Sequence, residues 1–286
     1  MATTKSTYTE TLRAKPGLVL AELDTGATPG FKGGQKSGAK KRGEKALAAD
    51  DGVIAEWQEK LFAESRAQPG RALLLVIQGM DTAGKGGIMT HVVSGMNPEG
   101  VIATAFKSPS KEEQRHHYLW RIRRALPHPG GMGIFDRSHY EDVLVVRVNK
   151  LVPKTVWSKR YDEINAFEAK VAESGTTIVK VMLHLGRDEQ KARLAARLRT
   201  PEKHYKYNPG DITERTKWGA YQEAYQAVVD ETSTEVAPWF VVPADHKWYA
   251  RYAVQQLVIE AFERMAPTWP DMGWDVEGEL ARLEKS

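Results

Sequence analysis

Residues 72–87 read ALLLVIQGMDTAGKGG, an apolar run that leads directly into a glycine-rich loop. Continuous β-branched and aliphatic runs are typical of strands buried on both faces of a parallel sheet. The loop has the spacing G-x4-G-K, whose glycines permit positive φ, so that backbone N–H groups can surround phosphate oxygens. A helix beginning at Lys85 would point the positive end of its dipole at the same anion. The stretch predicts a strand, a phosphate-binding loop and a helix; the alternative is a glycine-rich turn with a solvated lysine.

Strand-like and helix-like segments alternate along the rest of the chain. Further strands are predicted at 101–106, 131–136, 176–185 and 239–244. Helices are predicted at 44–66, 85–95, 111–126, 154–174, 187–199, 213–231 and 246–265. Residues 139–149 are ambiguous with helix favoured, and 267–274 predict an extended tail that exposes Trp269 and Trp274. The alternation predicts an α/β fold, a single doubly wound parallel sheet with helices on both faces.

The distribution of charge narrows the possible functions. The chain has 286 residues and a formal charge of +4, but residues 31–45 contain six Lys or Arg and one Glu, which leaves −1 for the rest. A DNA-binding domain would carry its basic surface on the fold itself, so this distribution argues against one. We predict a flexible basic arm at 1–43 and a single domain at 44–286. The arm is either a solvated segment or one that contacts a polyanion.

Three absences bound the class of protein. The sequence contains no cysteine, which excludes disulfides, thiolate catalysis and cysteine-ligated zinc. No apolar stretch approaches the ~18–20 residues of a membrane span. The N-terminal residues lack the apolar core of a secretory signal. We therefore expect a cytoplasmic protein with neither a membrane partner nor a specific nucleic-acid partner.

Two aspartates predict a metal site beside the loop. Gly86 stands where a phosphate-binding loop ordinarily has the Ser or Thr that helps to hold Mg²⁺, while Asp81 lies inside the loop. Two like charges ~4 Å apart cost ~4 kcal/mol at an effective dielectric near 20, so Asp81 beside phosphate suggests an intervening cation. Asp136 ends a predicted strand, at the sheet edge where α/β proteins bind ligands. The alternatives are a turn residue at Asp81 and a helix N-cap at Asp136.

A basic segment predicts the lid. Residues 187–206 contain seven Lys or Arg against three carboxylates, and the helical pattern stops at Thr200-Pro201. A basic helix that runs into a loop can close over an anion and exclude water, so we place the lid at about 187–211. The alternative is a solvated basic helix. Lys107, just past a predicted strand end, is a further candidate for a phosphate or nucleotide contact.

Five motifs in this order resemble the polyphosphate kinase 2 family. They are GMDTAGKGG (79–87), FKSPS (106–110), HHYLWR (116–121), FDRSHYE (135–141) and PEKHYKYNPGD (201–211). The resemblance covers about residues 50–265, nearly all of the predicted fold. It implies a fold of the P-loop kinase type with a helical lid, similar to thymidylate kinase-like P-loop enzymes. It also implies reversible phosphoryl transfer between inorganic polyphosphate and nucleoside mono- or diphosphates.

The resemblance also implies roles for individual residues. Asp81 and Asp136 would hold Mg²⁺, with Mn²⁺ as a substitute, and Lys85 and Arg137 would clamp phosphate. Glu141, with HHYLWR, looks closer to the branch that accepts both mono- and diphosphates. The candidate phosphate-binding residues are Gly79, Met80, Thr82, Ala83, Gly84, Gly86, Gly87, Lys107, Arg121, Arg193, Arg197, Lys203 and Lys206.

The resemblance further implies a homo-oligomer, either a dimer or a tetramer. The chain departs from the pattern of the family at His117, His139 and Tyr205, where other residues are commoner. Two other functions compete with this interpretation. One is a nucleotide kinase that uses ATP as donor, and the other is a non-catalytic module that binds polyanions through its basic arm.

Overall fold

Five parallel strands form one sheet in the computed structural model, which describes residues 7–34, 36–68, 70–93 and 95–286. They are β1 (Ala72–Gly79), β2 (Val101–Ala105), β3 (Met132–Asp136), β4 (Thr176–His184) and β5 (Trp239–Pro243). Their order is β2-β3-β1-β4-β5, so β1 is central, with β3 and β2 on one side and β4 and β5 on the other. The predicted strands and the doubly wound parallel sheet are therefore confirmed.

The helices flank this sheet and connect its strands. They are α1 (Tyr8–Leu12), α2 (Ala39–Ala49), α3 (Asp51–Glu64), α4 (Lys85–Val92), α5 (Leu119–Arg124), α6 (Val145–Val148), α7 (Lys154–Trp157), α8 (Arg160–Glu173), α9 (Arg187–Arg199), α10 (Pro209–Thr216), α11 (Trp218–Thr232), α12 (Lys247–Met265) and α13 (Val276–Glu284). Short 3₁₀ turns lie at Leu20–Glu22, Pro98–Gly100, Glu113–Arg115, His139–Asp142 and Pro201–Lys206. No helix among the described residues has the length and hydropathy needed to cross a bilayer.

Several predicted helices are divided in the structure. The helix expected at 44–66 is α2 and α3, which separate at Asp50. Gln255 of α12 donates to the Leu47 carbonyl and to Asp51 Oδ1, both at 3.0 Å. The break between α2 and α3 is therefore stabilised by hydrogen bonds from α12, a helix distant in sequence. The helices expected at 154–174 and 213–231 are likewise divided, and that at 111–126 is reduced to a 3₁₀ turn and α5.

The apolar core lies on both faces of the sheet. Along β1, Leu73, Leu75 and Ile77 point into one cluster, and Leu74 and Val76 point into the other. The first cluster includes residues of α3, α4 and α12, and the second includes residues of α8 and α11. Every residue of β1 is buried, as its uninterrupted apolar run predicts.

The N-terminal segment differs from the predicted flexible arm. Tyr8, Leu12 and Leu20 are buried in the two core clusters, and the backbone N–H groups of Tyr8 and Thr9 each donate to Glu260 at 2.7 Å. Helix α2 also crosses the predicted boundary between residues 43 and 44. The prediction of a flexible arm is thus wrong for residues 7–34 and 36–43. It failed because isolated apolar residues in an irregular segment give no periodic pattern. Residues 1–6 and 35 lie outside the described residues.

The first part of the C-terminal segment, residues 266–275, matches its prediction. Residues 266–275 have no regular secondary structure, and Trp269 and Trp274 are exposed, as expected. Helix α13, which follows, was not predicted from the sequence.

Candidate active site

The loop after β1 has the conformation that its glycines predict. Gly84 has φ +115°, and a side chain at Gly79 would approach the Leu183 carbonyl oxygen to 2.8 Å. Thr82 also takes a left-handed conformation, with φ +69°, although it is not glycine. Helix α4 begins directly after Gly84, so its N-terminal backbone faces the loop. This geometry suits an anion held by backbone N–H groups.

Lys85 folds back across the loop. Its Nζ donates to the Gly79 carbonyl at 2.8 Å, and its side chain is largely buried. The ammonium is therefore held at the centre of the loop, where a phosphate would add charged partners to the present carbonyl contact.

Asp136 lies at the carboxyl end of the sheet, opposite Ile77 of β1 and Ala105 of β2. Its Oδ1 is buried and has no hydrogen-bond partner. An unpartnered carboxylate oxygen is costly to bury, so this position favours a cation or a donor supplied by a ligand.

Arg137 connects Asp136 with the loop. It has φ +65°, an uncommon conformation for arginine, and its guanidinium donates to Asp81 Oδ1 at 2.8 Å. The same group lies 4.0 Å from Glu141 Oε2. Burial alone would lower the pKa of Arg137, but the carboxylates of Glu141 and Asp81 raise it above its ordinary value. Burial also raises the pKa of Glu141, against the opposing effect of Arg137.

A buried polar network anchors the chain just beyond Arg137. Lys180 of β4 donates to Glu168 Oε2 at 2.6 Å and to the Tyr140 hydroxyl at 2.8 Å, while that hydroxyl donates to Glu168 Oε1 at 2.8 Å. His139 Nε2 lies 3.0 Å from Glu168 Oε1. Burial alone would raise the pKa of Glu168, but Lys180 and His139 lower it below its ordinary value. Through His139 and Tyr140, the network fixes the turn that follows Arg137.

We expect Tyr140→Phe to lower the free energy of unfolding by about 1–3 kcal/mol, because Glu168 and Lys180 each lose a buried partner. Urea denaturation followed by circular dichroism measures the change. The matched control is Tyr205→Phe, a change at an exposed side chain, and it is expected to leave stability unaltered. Equal stability of the two variants would contradict the anchoring role.

Two concave spaces meet at the Asp81–Arg137 ion pair. The larger, about 810 Å³, contains eight Lys or Arg side chains against three carboxylates, and we call it the cationic cleft. Its charged residues are Asp81, Lys85, Asp136, Arg137, Glu189, Arg193, Arg197, Lys203, Lys206, Lys247 and Arg251. The smaller, about 240 Å³, contains one arginine against four carboxylates, and we call it the acidic pocket. It is lined by Gly79, Met80, Asp81, Arg137, Glu141, Leu144, Val145, Asn149, Asn208, Gly210, Asp211, Glu214, Tyr221 and Tyr225.

Most of the residues predicted from the sequence border one of these spaces. The cationic cleft includes Thr82, Ala83, Gly84, Gly86, Gly87, Arg193, Arg197, Lys203 and Lys206. The acidic pocket includes Gly79, Met80 and Glu141. Lys107 and Arg121 border neither space. They line a separate depression beside β2, where Arg121 donates to the Lys107 carbonyl at 2.8 Å.

Arg193 differs from its predicted role as a lid cation. It is buried, and its guanidinium donates to the carbonyls of Thr82, Ala83, Ala244 and Asp245 at 2.6–3.1 Å. Its remaining N–H donates to Glu189 at 2.7 Å. Because all five N–H groups are used, Arg193 holds the phosphate loop against α9 and the end of β5. It adds positive charge to the cleft without a free donor for a ligand.

Sequence reasoning missed Lys247 and Arg251, which lie in the first two turns of α12 and line the cationic cleft. Burial and the neighbouring Arg193 lower the pKa of both side chains, against the opposing effects of Glu189 on Lys247 and of Glu44 on Arg251. The sequence signal that could have identified Lys247 and Arg251 is their position shortly after a predicted strand. Residues that follow β5 reach the same carboxyl edge of the sheet as the residues that follow β1 and β3.

The two aspartates of the cleft fit a divalent cation that also binds phosphate. Asp136 has an unpartnered buried oxygen, and Asp81 borders the same cleft. Among the residues that the structure describes, no group of three or more His, Cys, Asp or Glu side chains could enclose a metal. Mg²⁺ is commonly held by one or two carboxylates, with phosphate oxygens and waters at its other positions. The donor set suits such a site and not a structural metal cage.

Comparisons with known proteins agree with this geometry. The sequence model of the polyphosphate kinase 2 family matches residues 37–269. The chain is 43% identical, over 251 residues, to the AMP/ADP-polyphosphate phosphotransferase of Meiothermus ruber, which covers 88% of this chain and 91% of that relative. It is 42% identical, over 230 residues, to the ADP-polyphosphate phosphotransferase of Rhodopseudomonas palustris, with 76% and 78% covered.

A solved structure extends the likeness to almost the whole chain. The crystal structure of polyphosphate kinase 2 from Arthrobacter aurescens TC1 superposes with a TM-score of 0.94 at 49% identity, and covers 99% of this chain and 98% of that one. The family match, the extent of the relatives and the shared fold agree with one another. The chain belongs to the polyphosphate kinase 2 family.

Proposed function

We propose that this protein transfers a phosphoryl group between inorganic polyphosphate and AMP or ADP. The observation that carries the proposal is the junction of a cationic cleft and an acidic pocket at a single ion pair, Asp81–Arg137. A group-transfer enzyme needs its two substrates to meet at one point, and this arrangement supplies it. The names of the relatives support the same pair of substrates.

The charge of each space suggests which substrate it takes. Polyphosphate carries about one charge per phosphate, so it requires a row of cations, which the cationic cleft contains. The acidic pocket suits the nucleoside, because carboxylates such as Glu141 and Asp211 can accept hydrogen bonds from ribose or base groups. Tyr221 and Tyr225 add aromatic surface there. The nucleotide phosphates would then reach Arg137 at the junction.

The residues of the junction account for the chemistry. A terminal oxygen of the nucleotide bonds to the end phosphorus of polyphosphate as the P–O bond to the next phosphate breaks, and the shortened chain leaves. The attacking oxygen is already ionised, so the transfer needs no strong general base. Lys85 and Arg137 stabilise negative charge on the transferred group, and backbone N–H groups of the loop orient it. Asp81 and Asp136 would hold Mg²⁺, which neutralises phosphate charge when bound. Arg197, Lys203 and Lys206 lie on the segment that we propose as the lid and would exclude water on closing.

The test is an assay without ATP. Purified protein is incubated with AMP or ADP, polyphosphate and Mg²⁺, and the nucleotide products are separated by ion-exchange chromatography. We expect ADP from AMP and ATP from ADP. Formation of product only when ATP is added would favour the ATP-dependent nucleotide kinase.

A binding module is distinguished by a second result. It would retain polyphosphate without forming product, and its binding would not depend on Mg²⁺ or Asp136. The homo-oligomer implied by the resemblance, a dimer or a tetramer, is tested separately by light scattering on the purified protein.

A further inference from the structure

The basic helix α2 is fixed beside the cationic cleft. Gly43 packs so closely on Trp248 of α12 that a Cβ at this position would lie 2.0 Å from the indole ring. Three residues further along α12, Arg251 lines the cleft and lies against Gly87 of α4. A helix that contacts α12 this closely places its own side chains next to the cleft wall.

One face of α2 continues the row of cations. Glu44 interacts electrostatically with both Arg251 and His91, two residues that line the cleft, so this face of α2 is directed toward them. Lys40 Nζ lies 3.8 Å from Glu44 Oε1, and Lys41 lies three positions before Glu44 on the same side of the helix. Both lysines are exposed.

Arg42 and Lys45 are the other two cations of α2. Arg42 donates to the carbonyls of Gly33 and Ser37, which orders the turn before α2 and uses two of its five N–H groups. Lys45, by contrast, is exposed and lies four positions after Lys41, on the same side of the helix. The exposed lysines of α2 are therefore Lys40, Lys41 and Lys45, and Glu44 is the only carboxylate among residues 31–45.

We propose that Lys40, Lys41 and Lys45 form an outer subsite for the part of a long polyphosphate chain that extends beyond the cationic cleft. The inference rests on the proposed function. A polyanion longer than the cleft must leave it along some surface, and the chain outside residues 31–45 carries a net charge of −1, so this helix is the favourable path. The subsite makes the enzyme favour long chains over short ones, because only long chains reach it.

The experiment compares two donors in one triple variant, Lys40→Gln, Lys41→Gln, Lys45→Gln. With long-chain polyphosphate we expect KM to rise about 3- to 150-fold, the range for three exposed ion pairs. With tetraphosphate, which is too short to span the cleft and the helix, we expect KM and kcat to stay the same. The dependence of log KM on log salt should also become shallower for the long donor, by about 2 for three phosphate contacts.

The matched control is Lys154→Gln, Lys159→Gln, Lys170→Gln, which removes three exposed lysines that do not line the cleft. It is expected to change neither donor's KM. Equal KM values for long-chain polyphosphate in the unsubstituted protein and the α2 variant would overturn the inference. So would an equal rise for tetraphosphate, because the effect would then lie inside the cleft. No turnover of either donor by the unsubstituted protein would overturn the proposed function itself, and this inference with it.

Discussion

Asp136→Asn is expected to lower turnover by at least about 100-fold, more than the loss typical of groups that only support a metal ligand. The substitution keeps the shape of the side chain and removes the negative charge at the carboxyl end of β3. In the unsubstituted protein the buried Oδ1 of Asp136 has no hydrogen-bond partner, so replacing the carboxylate with a neutral amide should not prevent folding. The loss should therefore appear in catalysis and not in stability.

The measurement is kcat at a series of Mg²⁺ concentrations, with the melting temperature as a second readout. We expect the Mg²⁺ concentration needed for half-maximal rate to rise, or no concentration to restore the rate. Asp162→Asn, an exposed change on α8, serves as the control and should behave like the unsubstituted protein. Near-normal turnover of Asp136→Asn at low Mg²⁺ would refute the assignment of Asp136 as a metal ligand.

Arg137→Ala is expected to lower kcat on the order of 10³-fold, the smaller end of the effect of an arginine that stabilises a transferred phosphoryl group. Arg137 borders both the cationic cleft and the acidic pocket, so it is placed to contact the group in transit. Its removal also leaves Asp81 without the ion pair at 2.8 Å, which adds negative charge where phosphate must approach.

The split between kcat and KM tests this role. A group that acts on the transition state changes kcat more than KM, whereas loss of a simple binding cation raises KM. Arg137→Lys should recover part of the rate, because it keeps a positive charge but loses the planar guanidinium. Arg282→Ala, which removes an exposed arginine of α13 that lines neither space, is the control. A rise in KM with unchanged kcat would show that Arg137 only binds substrate.

The parts of the site that are local in sequence were predictable. The stretch 72–87 specifies a buried strand, a tight glycine turn and a helix N-terminus, and neighbouring residues alone decide each of these features. Asp136 was also predictable, because an apolar run ending in a carboxylate marks the end of a strand. The roles of Asp81 and Asp136 as metal ligands stay predictions until substitutions test them.

The parts that depend on distant contacts were not predictable. The sequence pattern placed Arg193 with the cations of the lid, but the structure directs its guanidinium to carbonyls of the phosphate loop and of the residues after β5. Lys107 and Arg121 likewise border a different depression. An arginine on a helix gives the same pattern whether it faces solvent, ligand or backbone, so only its neighbours in space distinguish these cases.

The sequence by itself determined the sheet, the phosphate loop and the chemistry of a polyanion site, because periodicity, glycine and charge act within a few residues. The tertiary structure decided how the site is assembled. It brought α12 to the cleft, joined Arg137 to Asp81, and placed the basic helix α2 beside Arg251. These contacts join residues 56 or more positions apart in the chain. They arise because burying the apolar faces of the sheet fixes where each helix packs, and no local pattern contains that information.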